Sequence, residues 1–114
     1  MLDPHKSGKA TGTTTAAYVE AVRVDTRGCG PQGKFLAIIR NTHATLTMKY
    51  KIDGYPFDVD GTRSGLAVAI KAETEIAAAT SVTQTDVDKN YAAVVISVID
   101  SSGHATFQID WTTY

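Results

Sequence analysis

The chain has 114 residues, of which 43% are hydrophobic and 20% are charged, and its formal net charge is -1. These values are typical of one globular domain with a real core, and they exclude an intrinsically disordered chain. Because there is no basic excess and no apolar run near the roughly 20 residues that span a bilayer, we expect neither nucleic acid nor membrane as a partner.

The N-terminal segment, residues 1–15, is rich in Ser, Thr, Gly and Lys and contains no periodic apolar positions. Such a segment buries too little apolar surface to offset the entropy lost on ordering. We therefore expect a flexible arm over residues 1–15 and one domain over residues 16–114. The side chains of the arm that are candidates for docking on a partner are Leu2, Pro4, His5, Lys6 and Lys9.

The first predicted strand covers residues 18–25, where the apolar set changes sides near Val19 and Ala21. A change of side within one strand indicates a β-bulge. A loop rich in Gly and Pro follows at 28–33, as turn chemistry requires. Residues 35–39 are apolar on both faces and predict a short central strand.

Two later segments, 46–53 and 105–112, alternate apolar and polar residues almost without error. A period of two places one face against a core and the other in water. This pattern is typical of antiparallel sheets, because parallel strands are usually buried on both faces.

Residues 66–76 fit either a strand or a helix, since an alternating apolar set is combined with many Ala, Glu and Lys residues. We favour a strand, because the rest of the chain has strand patterns. Residues 77–90 are rich in Thr and Asp and predict a long crossing loop. Residues 91–99 are the strongest candidate for a central strand.

The predicted strand 91–99 is apolar on both faces, and a two-layer sandwich covers only one of them. The second face is therefore a candidate oligomer or partner interface, and its members are Tyr91, Ala93, Val95 and Ile99. Exposed apolar patches of this kind usually mark interfaces. Cover by the 77–90 loop is the alternative.

About six or seven short strands separated by turns predict an all-β fold, an antiparallel β-sandwich that is Ig-like or jelly-roll-like. Tyr91, which follows Asp86 and Asp88, resembles the tyrosine corner of Greek-key sandwiches, although a tyrosine at a strand start explains it equally well.

The sequence contains no convincing catalytic or metal-binding constellation, so we expect no enzyme activity, no cofactor and no metal. The run Asp86, Asp88, Asn90 begins like a calcium loop, but the positions for its glycine and terminal glutamate carry Tyr91 and Ser97. The lone Cys29 excludes an intramolecular disulfide and favours folding in cytoplasm, and its only charged neighbour in sequence is Arg27. The three histidines are scattered: His5, His43 and His104.

Three parts of the chain, in order, carry a family resemblance: 41–54 with its alternating strand, 72–76 (Ala-Glu-Thr-Glu-Ile), and 91–107 with its apolar strand and following turn. In these features the chain resembles small β-sandwich virion proteins of tailed bacteriophages, such as capsid decoration proteins and head or tail components. The resemblance covers roughly residues 34–114.

The resemblance implies a non-enzymatic viral structural protein that decorates or stabilises a phage capsid or belongs to the head–tail assembly. It implies a homo-oligomer, with a trimer favoured, that binds virion proteins such as the major capsid protein. Its location would be the virion after synthesis in the host cytoplasm. The alternative is a glycan- or receptor-binding β-sandwich module that stacks sugars on Tyr55, Phe57 or Trp111, although Trp111 fits the core alternation better.

Overall fold

The computed structural model describes residues 7–25, 35–55, 68–87, 93–100 and 104–113, and all of its regular structure is β. None of these residues belongs to a helix that is long and apolar enough to cross a membrane. The strands in chain order are β1 (Ser7–Thr13), β2 (Val19–Asp25), β3 (Phe35–Asn41), β4 (Met48–Tyr55), β5 (Val68–Ile76), β6 (Ser81–Val87), β7 (Ala93–Ile99) and β8 (Thr106–Thr113).

The strands form two four-stranded sheets with the orders β1-β8-β3-β6 and β2-β7-β4-β5. Every recorded pairing is antiparallel. Consecutive strands thus alternate between the sheets until β4 and β5 pair, which is the eight-stranded jelly roll. Of the two predicted sandwich topologies, the strand order selects the jelly roll and not the Ig arrangement, in which the first strand pairs with the second.

A single hydrophobic core lies between the two sheets, and both central pairs of strands supply its largest members. The buried side chains of the cluster are Val22, Val24, Phe35, Ala37, Ile39, Met48, Tyr50, Ile52, Ile76, Val94, Ile96, Val98, Ala105, Phe107 and Ile109. Every second residue of the two alternating segments lies in this core, as a period of two requires.

A polar contact also links the sheets through the core. The hydroxyl of Tyr50 on β4 donates a 2.7 Å hydrogen bond to Oε1 of Gln84 on β6, which belongs to the opposite sheet. This bond gives the Tyr50 hydroxyl a hydrogen-bond partner in the opposite sheet. Burial raises the pKa of Tyr50.

Several expectations are confirmed. Ala21 is the extra residue of a bulge, because Glu20 pairs with Ser97 and Val22 with Ile96. The ambiguous segment is the strand β5, and β7 lies centrally between β2 and β4.

Two expectations are wrong. Residues 7–13 of the predicted arm form β1, which pairs with β8 at seven successive positions. Part of the predicted 77–90 loop is the edge strand β6. The described residues therefore form eight strands where six or seven were predicted for the chain, because both missed strands lie at sheet edges and bury few apolar side chains.

Some predictions fall outside the described residues. These are the arm positions Leu2, Pro4, His5 and Lys6, the loop with Cys29, and Phe57. Asp88, Asn90 and Tyr91 also lie outside, and with them the tyrosine corner and most of the calcium-like run.

Candidate functional site

The predicted interface on β7 does not form an exposed patch. In the isolated chain Val95 is 2% exposed and Ala93 is 5% exposed, while Ile99 is half-buried. Both buried side chains point away from the core cluster, so something on the outer surface of the sheet covers them. A partner is not required for that cover.

Neighbouring strands flank these small side chains with long charged ones. Val95 lies directly opposite Arg23 of β2 and Asp53 of β4, and Ser97 lies directly opposite Glu20 and Lys51. Residues directly opposite in an antiparallel pair share a face of the sheet. The aliphatic parts of such long side chains can shield apolar neighbours while their charged ends remain in water.

Tyr18 crosses the same surface from one edge of the sheet to the other. It precedes β2, yet its hydroxyl donates a short hydrogen bond to Oε2 of Glu73 on β5, at the opposite edge. Nζ of Lys51 lies 4.3 Å from the centre of the Tyr18 ring. We call this outer surface of the β2-β7-β4-β5 sheet the charged face.

The electrostatics of the charged face follow from this contact. Burial, with the Glu73 hydrogen bond and charge, strongly raises the pKa of Tyr18. The Tyr18 hydrogen bond, reinforced by Lys49 and Lys51, lowers the pKa of Glu73. Each partner therefore favours the neutral phenol and the ionised carboxylate.

Most charges of this face are already paired within the chain. Lys49 Nζ lies 3.4 Å from Glu73 Oε1, and Lys51 Nζ lies 3.7 Å from Asp53 Oδ2. At the other edge Arg23 Nε lies 2.7 Å from Glu20 Oε1. A partner docking here would have to remove water from all of these groups, which is unfavourable.

The outer surface of the other sheet has a different character, and we call it the neutral face. Its apolar members are Leu36 and Ile38 on β3, both half-buried. Ile38 lies directly opposite Asp110 on β8 and Thr83 on β6. The hydroxyl and amide side chains that the register places around them are Thr11, Thr13, Thr83, Thr106, Gln108 and Thr112.

Charge on the neutral face is concentrated around Asp110. Lys9 lies directly opposite it on β1. Arg40 Nη2 lies 3.9 Å from its Oδ2, and Gln108 Nε2 donates a 3.1 Å hydrogen bond to the same oxygen. The remainder of the surface carries hydroxyls and methyl groups, which cost less free energy to remove from water than charged groups do.

At one edge of the sheet that carries the neutral face, β1 packs against aromatic rings of β8. Gly8 lies opposite Trp111 and Gly12 opposite Phe107. A Cβ atom at Gly8 would lie 2.7 Å from Cζ2 of Trp111, and one at Gly12 would lie 3.0 Å from Cζ of Phe107. The rings thus occupy space that any larger residue would need.

Sequence reasoning missed this fit, although a signal was present. Small residues recur at 8, 10 and 12, and the partner strand has Phe107, Ile109 and Trp111 at the complementary positions. Trp111 packs against the core and stacks on Phe35, with ring centroids 6.3 Å apart. A half-buried, stacked indole of this kind is poorly placed to bind a sugar ring.

A polar cluster closes the end of the sandwich between β3 and β6. Nδ2 of the buried Asn41 donates to the carbonyl oxygens of Leu46 (2.6 Å) and Ile76 (3.1 Å), and Oδ1 accepts the His43 N–H. His43 Nδ1 in turn accepts the N–H groups of Thr45 and Leu46. The polar groups of Asn41 and Nδ1 of His43 are therefore used in hydrogen bonds within the chain.

Beside that cluster lies a shallow hollow of about 440 Å³, lined by Arg40, Asn41, Thr42, Ala79, Thr80 and Ser81. Two of its hydroxyls already donate hydrogen bonds within the chain, Thr42 to Thr106 and Thr80 to the Ala77 carbonyl. In the described part of the chain no three His, Cys, Asp or Glu side chains are grouped so as to hold a metal ion.

Comparisons with known proteins show similarity of fold. No family model matches the chain, and no curated protein matches its sequence. A structure of Bacillus endospore appendages, described as disulfide-linked pili, is similar with a TM-score of 0.58 and 13% identity over 96% of this chain and 83% of that one.

Two further solved structures are similar to this chain. The protein PirA has a TM-score of 0.57 and 12% identity over 100% of this chain and 96% of its own. A chain of the infectious bursal disease virus, Gx strain, has a TM-score of 0.50 and 9% identity over 98% of this chain. This chain spans about a third of that viral chain, 32% of its length. At these identities the likeness establishes the fold.

Proposed function

We propose that the protein is a non-enzymatic structural subunit that assembles with copies of itself and with other proteins into a larger particle. The more specific form of the proposal is a virion component of a tailed phage that decorates or stabilises the capsid or the head–tail assembly. The likeness of nearly the whole chain to a pilus appendage and to a viral chain supports the general form.

The observation that carries the proposal is the contrast between the two outer faces. Leu36 and Ile38 lie half-buried on the neutral face among threonines, whereas on the charged face Ala93 and Val95 are buried and the half-buried Ile99 lies opposite Lys49. Apolar and hydroxyl groups are removed from water at lower free-energy cost than ion pairs. The neutral face is therefore the surface that we assign to contacts in the particle.

A matched pair of variants tests this assignment. Ile38→Lys places a lysine opposite Asp110 on the neutral face, and Ala69→Lys places one opposite Asp53 on the charged face. Both position the new charge across from an aspartate, one on each outer face, with Ile38 half-buried and Ala69 exposed. We expect Ile38→Lys to weaken self-association and Ala69→Lys to leave it unchanged.

The measurement is the mass of the purified full chain in solution by light scattering over a wide range of concentration, with electron microscopy of the concentrated samples. A trimer or a regular array that Ile38→Lys dissolves supports the proposal. A wild-type chain that stays monomeric throughout, or equal effects of the two variants, contradicts it.

The virion assignment has its own test. Mass spectrometry of phage particles purified from a host that carries this gene should detect the chain at a fixed ratio to the major capsid protein. Its absence from purified particles would contradict the phage form of the proposal. A monomer that binds specific sugars on a glycan array would favour the alternative, a recognition module.

A further inference from the structure

The N-terminal strand β1 contributes almost nothing to the buried core. None of its residues is among the buried members of the cluster, and only Ala10 is partly buried against it. The edge strand β2 of the other sheet, by contrast, supplies Val22 and Val24. The hydrophobic interior is therefore essentially complete without β1.

The place that β1 occupies is nevertheless highly selective. It is the edge of β8, where a Cβ atom at position 8 would lie 2.7 Å from the Trp111 ring and one at position 12 would lie 3.0 Å from the Phe107 ring. A strand that pairs there must have very small residues four positions apart. The chain's own β1 meets this requirement with Gly8 and Gly12.

A firm anchor immediately after β1 separates it from the rest of the sandwich. Thr14 is fully buried; its N–H donates a 2.8 Å bond to the carbonyl of Ala105, and its Oγ1 accepts the Ala105 N–H at 2.9 Å. The next carbonyl, of Thr15, accepts the N–H of Asp100. These bonds hold Thr14 and Thr15 without any contribution from the residues of β1.

We propose that β1 is an exchangeable strand, and that β1 of a second copy of this chain can pair with β8 in place of the resident strand. The incoming strand makes the same seven register pairs and presents the same glycines to the rings, so reciprocal exchange conserves these contacts. This exchange uses the sheet edge and does not depend on the neutral-face contacts proposed above.

Single-cysteine variants of the full chain test the exchange, in a Cys29→Ser background. One copy carries Thr11→Cys and the other Gln108→Cys, two positions that lie directly opposite each other on β1 and β8. After the copies are mixed under native conditions and oxidised, a 11–108 disulfide joins them only where β1 of one copy lies beside β8 of the other. Peptide mapping identifies the link.

The collision control replaces Gln108→Cys with Thr83→Cys, an exposed position on the far edge of the same sheet. We expect the 11–108 heterodimer at least about tenfold above the 11–83 product, because strand pairing raises the effective concentration of the two thiols. Equal yields of the two products would overturn the proposal.

A second pair of variants tests the selectivity of the edge. Adding Gly8→Val to the Thr11→Cys copy should abolish the heterodimer, whereas Lys9→Val, on the outward side, should preserve it. An unchanged yield with Gly8→Val would show that strand exchange is not the source of the link. A chain that assembles by mass but forms no 11–108 link refutes the exchange and leaves the proposed function intact.

Discussion

The two outer faces of this sandwich have similar central strands but opposite surroundings. On the charged face the small residues of β7 lie between strands with ionic side chains, and the Tyr18 hydroxyl donates a hydrogen bond to Glu73 on β5. On the neutral face Leu36 and Ile38 lie among threonines and are half-buried. The difference shows that the side chains of neighbouring strands decide how far an apolar stripe is covered.

The largest expected effect comes from placing a carboxylate at the centre of each face. Val95→Asp places a carboxylate between Arg23 and Asp53, and Ile38→Asp places one opposite Asp110. Because Val95 is buried, we expect its substitution to lower the free energy of unfolding by roughly 3 kcal/mol, against about 1 kcal/mol for Ile38. Urea unfolding measures both. Equal losses would mean that Val95 is not covered in solution.

The next effect concerns the β1 edge of the sheet that carries the neutral face. Gly8→Val forces a side chain into the Trp111 ring, and we expect a loss of roughly 2 kcal/mol, since overpacking displaces the ring or the strand. Lys9→Val, on the outward side, should stay within about 0.5 kcal/mol. Hydrogen exchange should show loss of protection in β1 with Gly8→Val alone. Full protection in both variants would contradict the packing of β1 on Trp111.

A smaller effect should appear in alkaline solution. The folded state raises the pKa values of Tyr18 and Tyr50, so their contribution to stability is complete below the unfolded pKa of about 10 and is lost as pH rises above it. Urea unfolding at increasing pH should therefore show a decline above about pH 10 that is smaller in Tyr18→Phe. An identical decline in the variant would show that Tyr18 ionises normally.

The smallest effect tests whether the charges of the ion pairs, as distinct from the side-chain stems that carry them, stabilise the two faces. Glu20→Gln removes the charge that pairs with Arg23 and keeps the side-chain stem, and Asp110→Asn does the same beside Arg40. Exposed ion pairs contribute little, so each variant should change the free energy of unfolding by less than about 0.5 kcal/mol. A larger, salt-dependent loss for Glu20→Gln would show that the ion pairs themselves hold the charged face together.

Local patterns in the sequence were sufficient for the strands that build the core. Alternation predicted β4 and β8, and the change of side at Ala21 predicted the bulge in β2. Patterns failed for β1 and β6, because edge strands with few buried apolar residues do not show the period that identifies a strand. Gly8 and Gly12 have a reason to be small only once Trp111 and Phe107 lie beside them.

The candidate site was predicted less well than the fold. The apolar outer side of β7 was recognised, but its cover depends on the charged side chains of the strands that flank it. Those neighbours are distant in sequence, so no local pattern could reveal them. Local patterns could not reveal the neutral face either, because β1, β8, β3 and β6 come together only through the jelly-roll connections.

The sequence by itself determined that this protein is an antiparallel β protein with a strongly apolar central strand, because side-chain alternation is a local property of the backbone. Tertiary structure alone decided which apolar stripe is covered and which stays accessible. Whether a stripe is covered depends on side chains from different strands, and only the folded arrangement of all the strands brings those side chains together.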